Sequence, residues 1–147
     1  MGRKNSPSAN KELNELIAQY ETARAENRQL YLDGDQLADI ADQYAAGRKF
    51  NEAQEVITYG LHLHPDSTDL LVEQAYLYLD TGKIPLAKKV VESITDEYDT
   101  DVKMLKAELM LNEGQLENAR NVLDTIEDAD ELETIINIVY LYMDMGY

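Results

Sequence analysis

Five columns of residues recur in step along this chain, and their register limits the fold more than any single motif does. A small or β-branched residue stands at Ala41, Ala75, Ala107 and Val139, and a large one follows three positions later at Tyr44, Tyr78, Met110 and Tyr142. The first of these columns is spaced by 34, 32 and 32 residues. Next come a glycine (Gly47, Gly82, Gly114, Gly146), a large apolar residue (Phe50, Ile84, Leu116) and an alanine (Ala53, Ala87, Ala119). The stretch YLYLDTG at 76–82 returns almost letter for letter as YLYMDMG at 140–146. A period of this length marks stacked units, each burying its apolar face only against its neighbours.

Within a unit the apolar residues keep helical spacing: Leu71, Ala75, Tyr78 and Leu79 before the glycine, then Ile84, Ala87, Val91 and Ile94 after it. Each unit therefore reads as a helix, a glycine turn and a second helix. Glycine suits a turn where the first helix must end in a left-handed or tight conformation. Pro85 falls where the second helix of its unit begins, a place that needs no amide donor. Ser67 or Asp66, Thr100, and Asp130 three residues ahead of Glu133 are the expected N-caps. Alanines at fixed places let the two helices of a unit approach closely, and the larger residues fill the space between units.

These residues resemble the tetratricopeptide repeat. The stretch LADIADQYAAGRKFNEAQEVITYGLHLHP carries the resemblance best, through Leu37, Ile40, Ala41, Tyr44, Gly47, Phe50, Ala53, Ile57, Gly60 and Pro65. Later units depart from it: they are 32 residues long, lack the closing proline and place Gln74 where a large apolar residue is usual. The resemblance implies an all-α, right-handed solenoid of antiparallel helix pairs. It gives three full repeats at 34–67, 68–99 and 100–131 and a half repeat at 132–147. Ahead of them, Leu13, Leu16, Ile17 and Tyr20 predict an N-terminal capping helix within 12–33, and residues 1–11 read as a flexible tail. The final stretch, with Ile135, Ile136, Ile138, Val139, Tyr142 and Met143, reads as a first helix without its second. Its apolar side is expected to meet either further repeats or another copy.

In this family the first helix of each unit lines a concave groove where partner peptides lie. Carried over through the register, that face comprises Asp42, Tyr76, Leu79, Asp80, Met104, Glu108, Leu111, Asn112, Ile136, Tyr140, Met143 and Asp144. Tyrosines offer stiff contact area with a polar tip, methionines adapt to irregular partners, and carboxylates pair with Lys or Arg. Sites of this family that clamp a C-terminal carboxylate use Lys, Arg and Asn here, whereas this chain has acidic or apolar residues. Packing between neighbouring helices is the competing use for Tyr76, Leu79, Tyr140 and Met143.

Charge points the same way. Of 13 basic and 29 acidic residues, Arg3, Lys4 and Lys11 fall within the first eleven positions, which hold no acid. Residues 12–147 thus carry 10 basic against 29 acidic side chains, a balance of −19. Such a field repels nucleic-acid phosphates and anionic membranes and attracts basic peptides or protein faces. The expected function is a non-catalytic protein-interaction module with a peptide or protein partner of basic character. The alternative is self-association, or packing within a longer array, through the C-terminal half repeat.

Enzymatic, metal and cofactor chemistry find no support in the sequence. The chain has no cysteine, which fits a reducing compartment, and the cytoplasm is the expected location. His62 and His64, the only histidines, lack the i, i+4 spacing of a helical zinc pair. Asp33, Asp35, Asp39 and Asp42 lack the glycine and terminal glutamate of a calcium loop, and helix capping accounts for the first of them. No phosphate-binding glycine loop or nucleophile elbow occurs, and no cofactor is expected.

Overall fold

In a computed structural model of the chain, residues 7–126, 136, 138–140 and 143 are described. Among these residues the protein is all-helical. Helix α1 (Pro7–Ala25) is followed by three pairs: α2 (Gly34–Ala46) with α3 (Phe50–Leu63), α4 (Thr68–Asp80) with α5 (Ile84–Ser93), and α6 (Thr100–Asn112) with α7 (Leu116–Asp124). Members of a pair pack on each other, α2, α4 and α6 neighbour one another in sequence order, and α3 and α5 each pack against the first helix of the next pair. This is the helical solenoid that the repeat implies. Residues 136, 138–140 and 143 are also helical.

The alanine columns occupy the crossings. Ala53, Ala75, Ala87, Ala107 and Ala119 are fully buried and Ala41 nearly so. Around the first pair, Leu37, Ile40, Ile57 and Leu70 close the largest core cluster, each burial contributing roughly 1.5–3 kcal/mol. Helix α1 begins at Pro7 and ends at Ala25, so it occupies part of the segment read as a tail. It lays Tyr20 into that cluster, with Leu13, Leu16 and Ile17 packed against it, and Ala23 is buried as well. The Tyr44 hydroxyl donates to the Glu21 carboxylate, and the Arg24 guanidinium lies 5.9 Å from the centre of the Tyr59 ring.

Helix starts follow the sequence closely, with one shift. Ser67 caps α4, accepting from the Leu70 amide at 3.3 Å, and Pro85 sits in the first turn of α5. Asp33 caps α2 in a reciprocal box: its carboxylate accepts from the Gln36 amide at 2.8 Å, and the Gln36 side chain accepts from the Asp33 amide at 3.1 Å. Helix α6 is capped by Asp99 rather than Thr100, because the Asp99 carboxylate reaches the Val102 amide at 3.1 Å and Thr100 is already helical. The expected cap at Asp130 lies outside the described residues.

The turns correct the glycine column. In all three pairs the chain reverses with the same pattern: the amides of Lys49, Lys83 and Gln115 donate to the carbonyls of Tyr44, Tyr78 and Met110 at 2.8, 2.7 and 2.8 Å. Such a six-to-one bond requires a left-handed residue one position before its donor. Gly82 and Gly114 fill that place with φ of 77°, but in the first pair it is Arg48, with φ of 61°. Gly47 precedes it at φ −85°. The Arg48 guanidinium lies 5.4 Å from the centre of the Phe50 ring, a contact that partly offsets the steric cost of about 1–2 kcal/mol.

Gln74, the apparent misfit in its column, is 6% exposed. Its amide exchanges two hydrogen bonds with that of Gln54 across the seam between α3 and α4, at 2.8 and 3.0 Å. Burying an amide is tolerable only with such partners.

Candidate partner-binding face

The face in question is built by α2, α4 and α6. On α4 the residues Asp69, Glu73, Tyr76 and Asp80 follow one another at intervals of four, three and four, which keeps them on one side of the helix. Tyr76 is its centre. The ring packs at the edges of two core clusters, one containing Ala75, Leu105 and Leu109 and the other Val72, Ile94 and Val102, so it closes the seam between α4 and α6. Burial raises its hydroxyl pKa well above the usual tyrosine value, and the carboxylates of Glu108, Asp101, Glu73 and Asp80 push it the same way. The charges of four acids from two helices are thus felt at one phenol.

The sequence-predicted residues divide into three groups. Asp42, Tyr76, Leu79, Met104 and Glu108 are half-buried on the expected helices, while Asp80 and Asn112 are exposed. Desolvation raises the Asp80 carboxyl above its ordinary value although the residue as a whole is exposed, and the nearby Arg48 charge opposes that rise. The Asn112 amide donates to the Glu108 carbonyl at 3.2 Å. Leu111 does not belong to the surface: it is 3% exposed, in a cluster with Ala107, Ala119, Leu123 and Ile126. Its position on α6 turns it into the α6–α7 core, which closes it to a partner.

Farther along, Ile136, Tyr140 and Met143 are exposed at 41, 59 and 63%, as is Val139. Tyr140, the counterpart of Tyr76, therefore differs from it in burial. Asp144 lies outside the described residues.

Four further carboxylates on these helices are not among the residues expected on the face: Asp39, Asp69, Glu73 and Asp101. Every one of them, like Asp42 and Glu108, takes part in a polar or electrostatic interaction. The signal was present in the acids at Asp35, Asp39 and Asp42 and at Asp69, Glu73 and Asp80, which share helix faces. Glu73 is the least expected, since it is only 5% exposed.

Both histidines lie at the C-terminal end of α3. His64 ends α3, with Nε2 2.8 Å from the Leu32 carbonyl oxygen and its ring edge-on to Tyr31. His62 is exposed in the last turn of the same helix. No cluster of three His, Cys, Asp or Glu that could hold a metal ion occurs among the described residues. No helix among them is long and apolar enough to cross a membrane.

Residues 44–109 match the family model of the tetratricopeptide repeat. That span runs from the last turn of α2 to the last turn of α6. Repeats of this kind generally mediate protein–protein interaction and typically act without catalysis. No curated protein and no solved structure gives a significant match to the chain.

Proposed function

We propose that this chain is a non-catalytic interaction module that binds a basic peptide or protein segment on the face formed by α2, α4 and α6. The observation that carries this reading is the half-buried Tyr76 ring closing the seam between α4 and α6, with the charges of Glu108, Asp101, Glu73 and Asp80 felt at its phenol. An apolar ring edge flanked by carboxylates suits a Lys or Arg that presents its stem to the ring and its charge to the acids. Leu79, packed at the edge of the same core cluster, and Met104 on α6 offer apolar contact for an anchor residue. The repeat boundaries expected at 34–67, 68–99, 100–131 and 132–147 place this site on the second and third units. A cytoplasmic setting accords with the lack of cysteine.

The test is the affinity of a synthetic Lys/Arg-rich peptide with one or two leucines, measured by fluorescence anisotropy across a salt series. Binding is expected to weaken with salt, and to fall about tenfold in Glu108→Lys and in Tyr76→Ala. Affinity unchanged by either substitution would sink the assignment.

A second reading rests on the exposed apolar residues Ile136, Val139, Tyr140 and Met143. On that reading the C-terminal helical stretch packs against another copy. Light scattering over a concentration series separates the two, because a monomer at every concentration removes self-association and leaves the peptide site.

A further inference from the structure

We propose that the cleft between α1, the loop that follows it and α3 binds a small organic monocarboxylate, held by Arg24 and Arg28 with the hydroxyl of Tyr20 as a further donor. None of the residues lining this cleft belongs to α2, α4 or α6. The site is therefore independent of the basic-peptide reading of that face.

The backbone builds the cleft. Helix α1 is closed by Asn27, which holds φ of 54°, and the Arg28 amide donates to the Ala23 carbonyl at 2.8 Å. This is the six-to-one closure of the three turns, with asparagine in a left-handed place that it tolerates better than most residues. The chain turns back there, so Arg24 in the last turn of α1 and Arg28 beyond it line the same space. The loop is then tied to α3, because the Tyr59 hydroxyl donates to the Leu30 carbonyl at 3.0 Å. Between these elements lies a cleft of about 210 Å³. Sites for drug-sized ligands start at roughly 300 Å³, so this one suits a small acid.

Tyr20 supplies the observation that points to a ligand. The residue is 5% exposed, and its hydroxyl is a buried polar atom without a hydrogen-bond partner. Such a group is costly to leave unanswered. Burial raises its pKa, and the charge of Arg24, felt at the same oxygen, works the other way. The hydroxyl and the guanidinium thus stand close enough to serve one acceptor.

Charge and shape select the ligand. Residues 12–147 contain four arginines, and two of them line this cleft in an otherwise strongly acidic chain. A helix C-terminus favours basic side chains, which accounts for Arg24 but leaves the Tyr20 hydroxyl unexplained. The carboxylates that the arginines now meet are exposed: Arg28 Nε donates to Glu26 at 2.7 Å, and Arg24 lies 3.9 Å from Glu55. Exposed pairs of this kind contribute little, and the bond from Nε leaves the two Nη groups of Arg28 outside it. A planar carboxylate in the cleft can take up a guanidinium edge, while Leu30 and the tyrosine rings meet its carbon body. The nearby charges of Glu26 and Glu55 oppose a second negative charge, which favours a monocarboxylate over a phosphate dianion.

Benzoate is the probe, titrated into the full chain at fixed ionic strength with the amide signals followed by NMR. Saturable shifts are expected at Ala23, Asn27, Arg28 and Tyr59, none from benzamide, the neutral molecule of similar shape, and weaker ones from inorganic phosphate. Arg28→Gln should weaken binding about tenfold. Tyr20→Phe, which removes one oxygen and keeps the ring, should weaken it about fivefold, with a melting temperature equal to or above that of the unaltered chain because no internal bond is lost. A lower melting temperature in Tyr20→Phe would mean that the hydroxyl already has an internal partner, and it would overturn the proposal. So would shifts that never saturate, an equal response to benzamide or phosphate, or unchanged affinity in Tyr20→Phe. Each of these failures leaves the basic-peptide site untouched, since its residues lie on other helices.

Discussion

In the first helix pair the second helix runs 14 residues, Phe50–Leu63; in the next pair it runs only 10, Ile84–Ser93. The difference follows one column. Gly60 in α3 corresponds to Ile94 after α5 and to Ile126 after α7. At Gly60 the backbone of α3 comes so close to α4 that an added Cβ would stand 2.8 Å from Leu70 Cδ1. At Ile94 the helix has already ended, and the side chain, 6% exposed, fills the cluster of Val72 and Val102. The first seam is thus closed by backbone approach and the second by side-chain volume. One repeat template accommodates both, and the shorter second helix accompanies the change from a 34-residue to a 32-residue period.

Exchanging the two solutions should break each seam. Gly60→Val is expected to lower unfolding free energy by about 3 kcal/mol through overpacking against Leu70, and Ile94→Ala by about 3 kcal/mol through the cavity left behind. Urea titration followed by circular dichroism measures both; a neutral Gly60→Val would show that α3 can move away from α4 at little cost. A smaller effect belongs to the polar contact in the first seam. Gln54→Ala should cost about 2 kcal/mol by leaving the buried Gln74 amide without its partner, while the double change Gln54→Leu with Gln74→Leu should come close to neutral. A double-mutant cycle reads that coupling, and additivity would deny it. The smallest effects lie in the turns. Gly82→Ala should destabilise by about 1–2 kcal/mol, since nothing lies near the new methyl and only the left-handed φ opposes it. Arg48→Gly should raise stability by no more than about 1 kcal/mol, because relief of the backbone is offset by loss of the contact with Phe50 and by added freedom of the unfolded chain. Thermal melts of the two variants compare them directly.

Much of the architecture could be read beforehand because it depends on short-range periodicity. Ala75 and Ala87 are crossings wherever two helices of this length meet, and Ser67 and Asp33 cap helices by bonds to amides three residues away. The site was legible in part for the same reason: register places Asp42, Tyr76, Asp80 and Glu108 on first helices. Leu111 was misread because adjacent positions of a helix point in directions about 100° apart, and its neighbours across α7 decide which of them is covered. Glu73 was passed over since no local pattern signals that a carboxylate will be buried.

The chain's own periodicity therefore determines the helix pairs, their order, most of their caps and the acidic character of the first-helix layer, all of which follow from spacing along one strand of sequence. Tertiary structure alone decides that Arg48 rather than Gly47 adopts the left-handed conformation, since the bond from Lys49 to the Tyr44 carbonyl sets which residue must turn. It likewise decides that Gln74 meets Gln54 and that the charges of Asp101 and Glu108 on α6 are felt at the Tyr76 phenol on α4. Those are contacts between groups on different helices, and their energies depend on distances that no single helix contains.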